Sequence, residues 1–140
     1  MTQDFSRKMT IVLREDLASW QFTNTVGHIA AYLGNKMTEP FDTGEYFISK
    51  DGLNLPRNSQ FAVVALSATK DELRKLSISL HDTKLPRIIY VQEMIDMIDD
   101  NELAQAISTV PTDALDILGI GIFGPKDELK GLTGLLKLWK

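Results

Sequence analysis

Gln21, Asn24 and His28 stand at i, i+3 and i+7, a spacing that lines one stripe of an α-helix. Two carboxamides and an imidazole donate and accept hydrogen bonds, so such a stripe can orient an amide, a ribose or a carboxylate. Arg14 precedes them at the end of an apolar run, followed by Glu15 and Asp16. That trio makes either an anion clamp with a paired acid or an ion pair with a helix cap. Gln92 and Glu93 follow another apolar run and can face the same crevice. With Trp20 at the helix start, the candidate ligand-binding set is Arg14, Trp20, Gln21, Asn24, His28, Gln92 and Glu93. None is assigned as catalytic, and no carboxylate is placed by sequence to orient His28 as a general base.

Other chemistries lack their residues. With no cysteine in the chain, there is no disulfide framework, thiolate metal site or cysteine nucleophile. His28 and His81 are 53 residues apart and fit no zinc-ligand spacing. Asp96, Asp99 and Asp100 lack the Asp-x-Asp-x-Asp-Gly loop of a calcium hand. Ser19 has no G-x-S-x-G elbow around it. Neither a metal nor a cofactor is expected.

The elements that must position these residues follow from periodicity. Lys8–Arg14 is a short β-branched strand. Asp16 or Ser19 then caps a helix running to about Leu33, with Phe22, Val26, Ile29, Ala30 and Leu33 on one face. Gly34-Asn35 is its stop signal. Pro40, Gly44, Gly52 and Pro56 punctuate residues 36–60, with Tyr46-Phe47-Ile48 a short edge strand and Asp51-Gly52 a turn. Phe61–Leu66 is apolar without alternation, which implies a strand buried on both faces. Thr69-Lys-Asp-Glu72 is a capping box opening a second helix, with Leu73, Leu76 and Leu80 inward. Arg87–Val91 is a third strand. Gln92–Ser108 is helical in two pieces that break near Asp99-Asp100-Asn101, and Met94, Ile95, Met97 and Ile98 read as core. Leu115–Phe123 is a fourth strand, Gly124-Pro125 opens a last helix, and Leu135–Trp139 can return as a strand. Strands alternating with helices imply one layered α/β domain over residues 1–140, with helices on both faces of the sheet. The crevice at the carboxyl ends of such strands is the usual ligand site.

Gly119, Gly121 and Gly124 spell G-x-G-x-x-G, but not a dinucleotide loop. That fingerprint follows the first strand and needs an acid about 20 residues later. Here only 16 residues follow Gly124. Gly119 and Gly121 fall inside a strand, where glycine marks close approach of a neighbouring element or a bulge.

Composition narrows the partners. The net charge is −4. Seven acids and no lysine or arginine lie between Gln92 and Asp116, which reads as a solvated helix face with caps. That balance argues against phosphate-driven nucleic-acid binding. No apolar run approaches the roughly 20 residues of a membrane helix. The opening Met1–Lys8 has no apolar signal core, so a cytoplasmic protein is expected.

Both ends resemble a known family. Lys8-Met-Thr-Ile-Val-Leu-Arg-Glu-Asp-Leu17 is similar to the opening strand of the peptidyl-tRNA hydrolase II proteins. Leu118-Gly-Ile-Gly-Ile-Phe-Gly-Pro-Lys-Asp-Glu-Leu-Lys-Gly-Leu-Thr-Gly-Leu-Leu-Lys-Leu138 resembles their C-terminal end. The resemblance implies a three-layer α/β/α fold with a small mixed, mostly parallel four-stranded sheet. It carries no catalytic residue across. The family's first helix begins with an active-site lysine, whereas Ser19-Trp20-Gln21-Phe22-Thr23-Asn24 stands here. The family's Asp-Ala-Gly-x-Thr segment is replaced by Val91-Gln92-Glu93-Met94-Ile95. The Trp20-Gln21-x-x-Asn24 variant is more similar to an uncharacterised bacterial family, the domain of unknown function two thousand.

The expected function is binding of a small polar ligand or a partner in the crevice lined by the first helix. The alternatives are a hydrolase of an ester or amide, such as peptidyl-tRNA, using substitute residues, and a non-catalytic homo-oligomeric structural protein. A homodimer is expected because exposed edges of a small sheet invite pairing.

Overall fold

The computed structural model describes residues 3–37 and 46–140; Pro40 and Gly44 lie outside them. The order is β1 (Asp4–Arg14), α1 (Ser19–Lys36), β2 (Tyr46–Ile48), β3 (Asn54–Pro56), β4 (Phe61–Ala68), α2 (Lys70–Leu80), β5 (Arg87–Val91), α3 (Glu93–Asp96), α4 (Asp100–Ser108), β6 (Ile117–Pro125), α5 (Lys126–Thr133) and β7 (Lys137–Leu138). A 3₁₀ turn over Thr112–Ala114 leads into β6.

Among the described residues, the main sheet has five strands in the order β5-β6-β1-β4-β7, while β2 and β3 pair only with each other. Four strands, mostly parallel, were expected. The fifth is β7, which pairs at only Leu66↔Leu138 and Ser67↔Lys137. Only β1 and β4 are parallel neighbours; β6 is antiparallel to both β1 and β5. An unbroken apolar run reports burial on both faces and carries no information on direction, so the orientation of β6 was not readable. Even so, β1, β4 and β5 all point the same way, because β6 reverses between β1 and β5.

Alternation along β1 divides two cores. Met9, Ile11 and Leu13 face α1 with Ile29, Leu33, Phe61, Tyr90, Leu118 and Phe123. Val12 faces α2 and α5 with Leu66, Leu73, Leu76, Leu80, Ile120, Ile122 and Leu129. The inward face expected for α1 is present, and Thr25 joins it fully buried. Leu118 is the extra residue of a bulge, since Tyr90 pairs with Gly119 and Val91 with Ile117.

The two strand glycines let α1 approach the sheet. A Cβ at Gly119 would lie 2.9 Å from Thr25 Cγ2 and 3.0 Å from the Val12 carbonyl oxygen. A Cβ at Gly121 would overlap Ile29 Cγ2 and lie 2.8 Å from Leu33 Cδ1. Gly124 closes β6 against Leu85, and α5 starts two residues later.

Local signals hold in most places. The Thr69 hydroxyl accepts from the Glu72 amide, and Glu72 Oε1 accepts from the Thr69 amide. Asp99 Oδ1 accepts from the amides of Asn101 and Glu102, setting the break between α3 and α4. Other signals fail. Gly34-Asn35 does not stop α1, which runs to Lys36; Gly52 alone has positive φ among the described residues, so no left-handed cap forms. Neither Asp16 nor Ser19 caps α1. Ala18 holds the cap position, and its amide donates to Gln21 Oε1. Val63 of β4 is half exposed, because α1 leaves this end of the strand uncovered. Ile98 is fully exposed and lies outside the core.

Candidate functional site

The carboxyl ends of β1, β4 and β5 gather the polar candidates along one edge of the sheet. At adjacent-strand spacing of about 4.8 Å, the edge from β5 to β7 is roughly 19 Å wide. Two polar groups occupy it in turn.

Above β1 and β6, Arg14 Nε donates to Asp16 Oδ1 at 2.6 Å and its Nη1 to Asp116 Oδ1 at 2.5 Å. Nη1 also reaches the Ile117 carbonyl oxygen at 3.4 Å. The Arg14 side chain is only 13% exposed. Partial burial works against the charged guanidinium, but the hydrogen bonds to Asp16 and Asp116 outweigh it and the pKa is raised. Arg14 is therefore a permanently charged brace tying the β1 and β6 ends together. With both partners carboxylates, the ion-pair reading holds and its charge is already matched.

Above β5, the carboxamides form a chain. Gln21 Nε2 donates to Gln92 Oε1 at 3.0 Å, and Gln92 Nε2 to Asp96 Oδ1 at 2.9 Å. The Gln92 amide donates to the Asp116 carbonyl oxygen at 3.0 Å, which links this chain to the Arg14 brace. The structure thus unites Gln21, Gln92 and Arg14 across a sequence separation that spacing alone could not bridge.

Asn24 and His28 lie farther along α1. Asn24 Oδ1 accepts from the Tyr90 hydroxyl at 2.8 Å. The His28 ring stacks on Tyr90 with centroids 5.2 Å apart. Burial raises the Tyr90 pKa. This pair fastens α1 to β5 and faces a shallow depression with Thr23 and Gly27. The stripe is split: Gln21 serves the edge, while Asn24 and His28 serve packing. Trp20 is 59% exposed at the start of α1. Glu93 Oε2 is shielded without a hydrogen-bond partner among the described residues.

A cavity of about 550 Å³ opens at the carboxyl ends of β1 and β4 beside β7, lined by Glu15, Ser67, Lys137, Leu138, Trp139 and Lys140. Its position has a topological cause. The chain leaves β1 for α1 on one face and leaves β4 for α2 on the other. Adjacent parallel strands whose connections diverge leave a crevice between their ends. The Glu15 amide donates to the Ala68 carbonyl oxygen at 2.9 Å and continues the β1–β4 pairing past Arg14. β7 forms one wall, fixed by the Trp139 backbone amide donating to Ala65 O at 3.0 Å and by Phe22 packed at a tilt on the Trp139 ring with centroids 4.7 Å apart. None of the six lining residues was in the predicted set; Glu15 was read only as a partner of Arg14. The signal that could have found them was the expected return of Leu135–Trp139 to the sheet. Among the described residues, no group of three or more metal-ligating side chains converges, and no helix is long and apolar enough to cross a membrane.

Residues 7–140 match the family described as protein of unknown function (DUF2000). No curated protein matches the sequence. Among solved structures, the fold is similar to that of a protein of unknown function from Agrobacterium tumefaciens strain C58. The TM-score is 0.83 at 22% identity, covering 98% of this chain and 100% of that one. The chain belongs to the DUF2000 family.

Proposed function

We propose that this DUF2000 protein binds a small polar ligand in the crevice between the carboxyl ends of β1 and β4. The observation that carries the reading is the cavity of about 550 Å³ at the topological switch point, with Glu15, Ser67, Lys137 and Trp139 on its walls. Its volume falls in the usual range for small-molecule sites. Lys137 and Lys140 suit a carboxylate or another small anion. Glu15 suits an amine or hydroxyl on the same ligand, and Trp139 supplies a flat apolar wall. A compact molecule carrying both an anionic and a donor group fits this set. The resemblance of both chain ends to peptidyl-tRNA hydrolase II proteins supports a related fold, without that family's lysine.

Nothing in the geometry favours the hydrolase alternative. Ser67 lines the cavity on β4, while His28 stacks on Tyr90 of β5. Those strands are three spacings apart, roughly 14 Å, too far for a nucleophile and its base.

A thermal-shift screen of small polar metabolites against wild type, Glu15→Gln and Lys137→Met tests the proposal. A ligand at about a hundred times its Kd should raise Tm by roughly 5–10 °C, and each substitution should remove most of that rise. No stabilising ligand, or stabilisation that survives both substitutions, would count against the crevice.

A further inference from the structure

We infer that the β2–β3 hairpin is a dimerisation arm that packs against a second copy of this chain. Its two strands have three residues each and no substantial packing on another described element. A lone two-stranded hairpin of that length is at best marginally stable in water. Yet both of its faces are apolar. Phe47 pairs with Leu55 on one face; Tyr46 and Ile48 share the other with Pro56. Tyr46, Phe47, Ile48, Leu53 and Leu55 are 47–69% exposed. At roughly 100 Å² each they expose about 500 Å² of apolar surface per arm, divided between its two faces.

Three observations favour a second copy as the occupant. Over residues 46–57 the charged side chains are Lys50, Asp51 and Arg57, whose guanidinium lies 5.5 Å from the Phe47 ring centroid, so the arm carries a net charge of only +1 and like can meet like with little repulsion. A two-fold contact requires such a self-complementary patch. The hairpin also leads through residues 57–60 into the amino end of β4, where Val63 and, on neighbouring β1, Phe5 are 52% and 69% exposed. β7 pairs with β4 only at Leu66 and Ser67, so the edge at residues 61–64 is open among the described residues. One face of each arm can therefore meet its twin while the other covers this adjoining strip. The two arms against each other and against the strips they cover bury on the order of 1,500 Å², within the range of stable interfaces.

The test is light scattering on the full chain over about 1–100 μM, a range that detects micromolar association. Wild type should show twice the 15.7 kDa chain mass at the upper concentrations. Phe47→Asp should be monomeric throughout, with the far-UV circular dichroism of the body unchanged. Ile48→Ser, a milder change, provides the same reading if Phe47→Asp does not fold. Leu135→Asp, at another fully exposed leucine, should remain dimeric. A wild-type monomer at 100 μM, or arm variants that dimerise as wild type does, would overturn the inference.

Discussion

Gly121→Ala places one methyl group where the structure leaves no room. The new Cβ would overlap Ile29 Cγ2, lie 2.8 Å from Leu33 Cδ1 and 3.3 Å from Ile88 Cγ2. Ile29 and Leu33 are fully buried, so neither side chain can swing into solvent, and α1 must lift from the sheet. Overpacking of this kind costs about 1–3 kcal/mol, against a gain of about 0.4–1 kcal/mol from the stiffer unfolded chain. The net loss is about 1–2 kcal/mol, roughly 3–8 °C in Tm for a domain of this size. Gly27→Ala is the counterpart. It lies on the exposed side of α1 with nothing within 4 Å of its Cβ position, and alanine there should add about 0.5–1 kcal/mol through helix propensity. Urea unfolding of both variants beside wild type is the assay. Gly121→Ala equal to or more stable than wild type would refute the close approach of α1 to β6.

Other outcomes follow from the same geometry. Arg14→Met should cost roughly 1–3 kcal/mol by urea unfolding, because it removes a guanidinium only 13% exposed together with its hydrogen bonds to Asp16, Asp116 and the Ile117 carbonyl; Asp16→Ala, whose carboxylate is 69% exposed, should cost less than about 1 kcal/mol. Equal losses would contradict the brace between β1 and β6. Thr69→Ala should cost about 1 kcal/mol by removing the cap of α2, and Thr69→Ser should restore it; a Thr69→Ser variant as unstable as Thr69→Ala would contradict the capping role. Hydrogen bonds from the Ser6 hydroxyl and amide, then from Arg7, lower the Asp4 pKa to about 2. Because the folded pKa is depressed, its contribution is complete above the ordinary value near 3.8 and fades as pH falls toward about 2. A carboxyl carbon NMR titration should find the low value, and an Asp4 midpoint near 3.8 would contradict these hydrogen bonds at the start of β1.

Much of the framework is local and was legible. The capping box at Thr69–Glu72, the break at Asp99 and the apolar face of α1 each depend on residues within a few positions. The in-strand glycines were also readable, since a dinucleotide loop needs residues downstream that Gly124 lacks. What escaped depends on distant pairing. The direction of β6 is set by its neighbours β1 and β5. The stop at Gly34-Asn35 failed because both residues stayed right-handed. The stripe of Gln21, Asn24 and His28 was correct as helix geometry, yet Gln92 draws one member to the sheet edge and Tyr90 holds the other two against β5. Lys137 and Trp139 reach the cavity only because β7 returns beside β4, seventy residues away in sequence.

The central claim is that a ligand enters the crevice between β1 and β4. An amide NMR titration with the best stabilising metabolite tests it most directly. Shifts concentrated at Glu15, Ser67, Lys137 and the Trp139 indole are the predicted result. Shifts centred on the groove between α2 and α5 around Leu76 and Leu132, or on the Tyr90–His28 face, would contradict it.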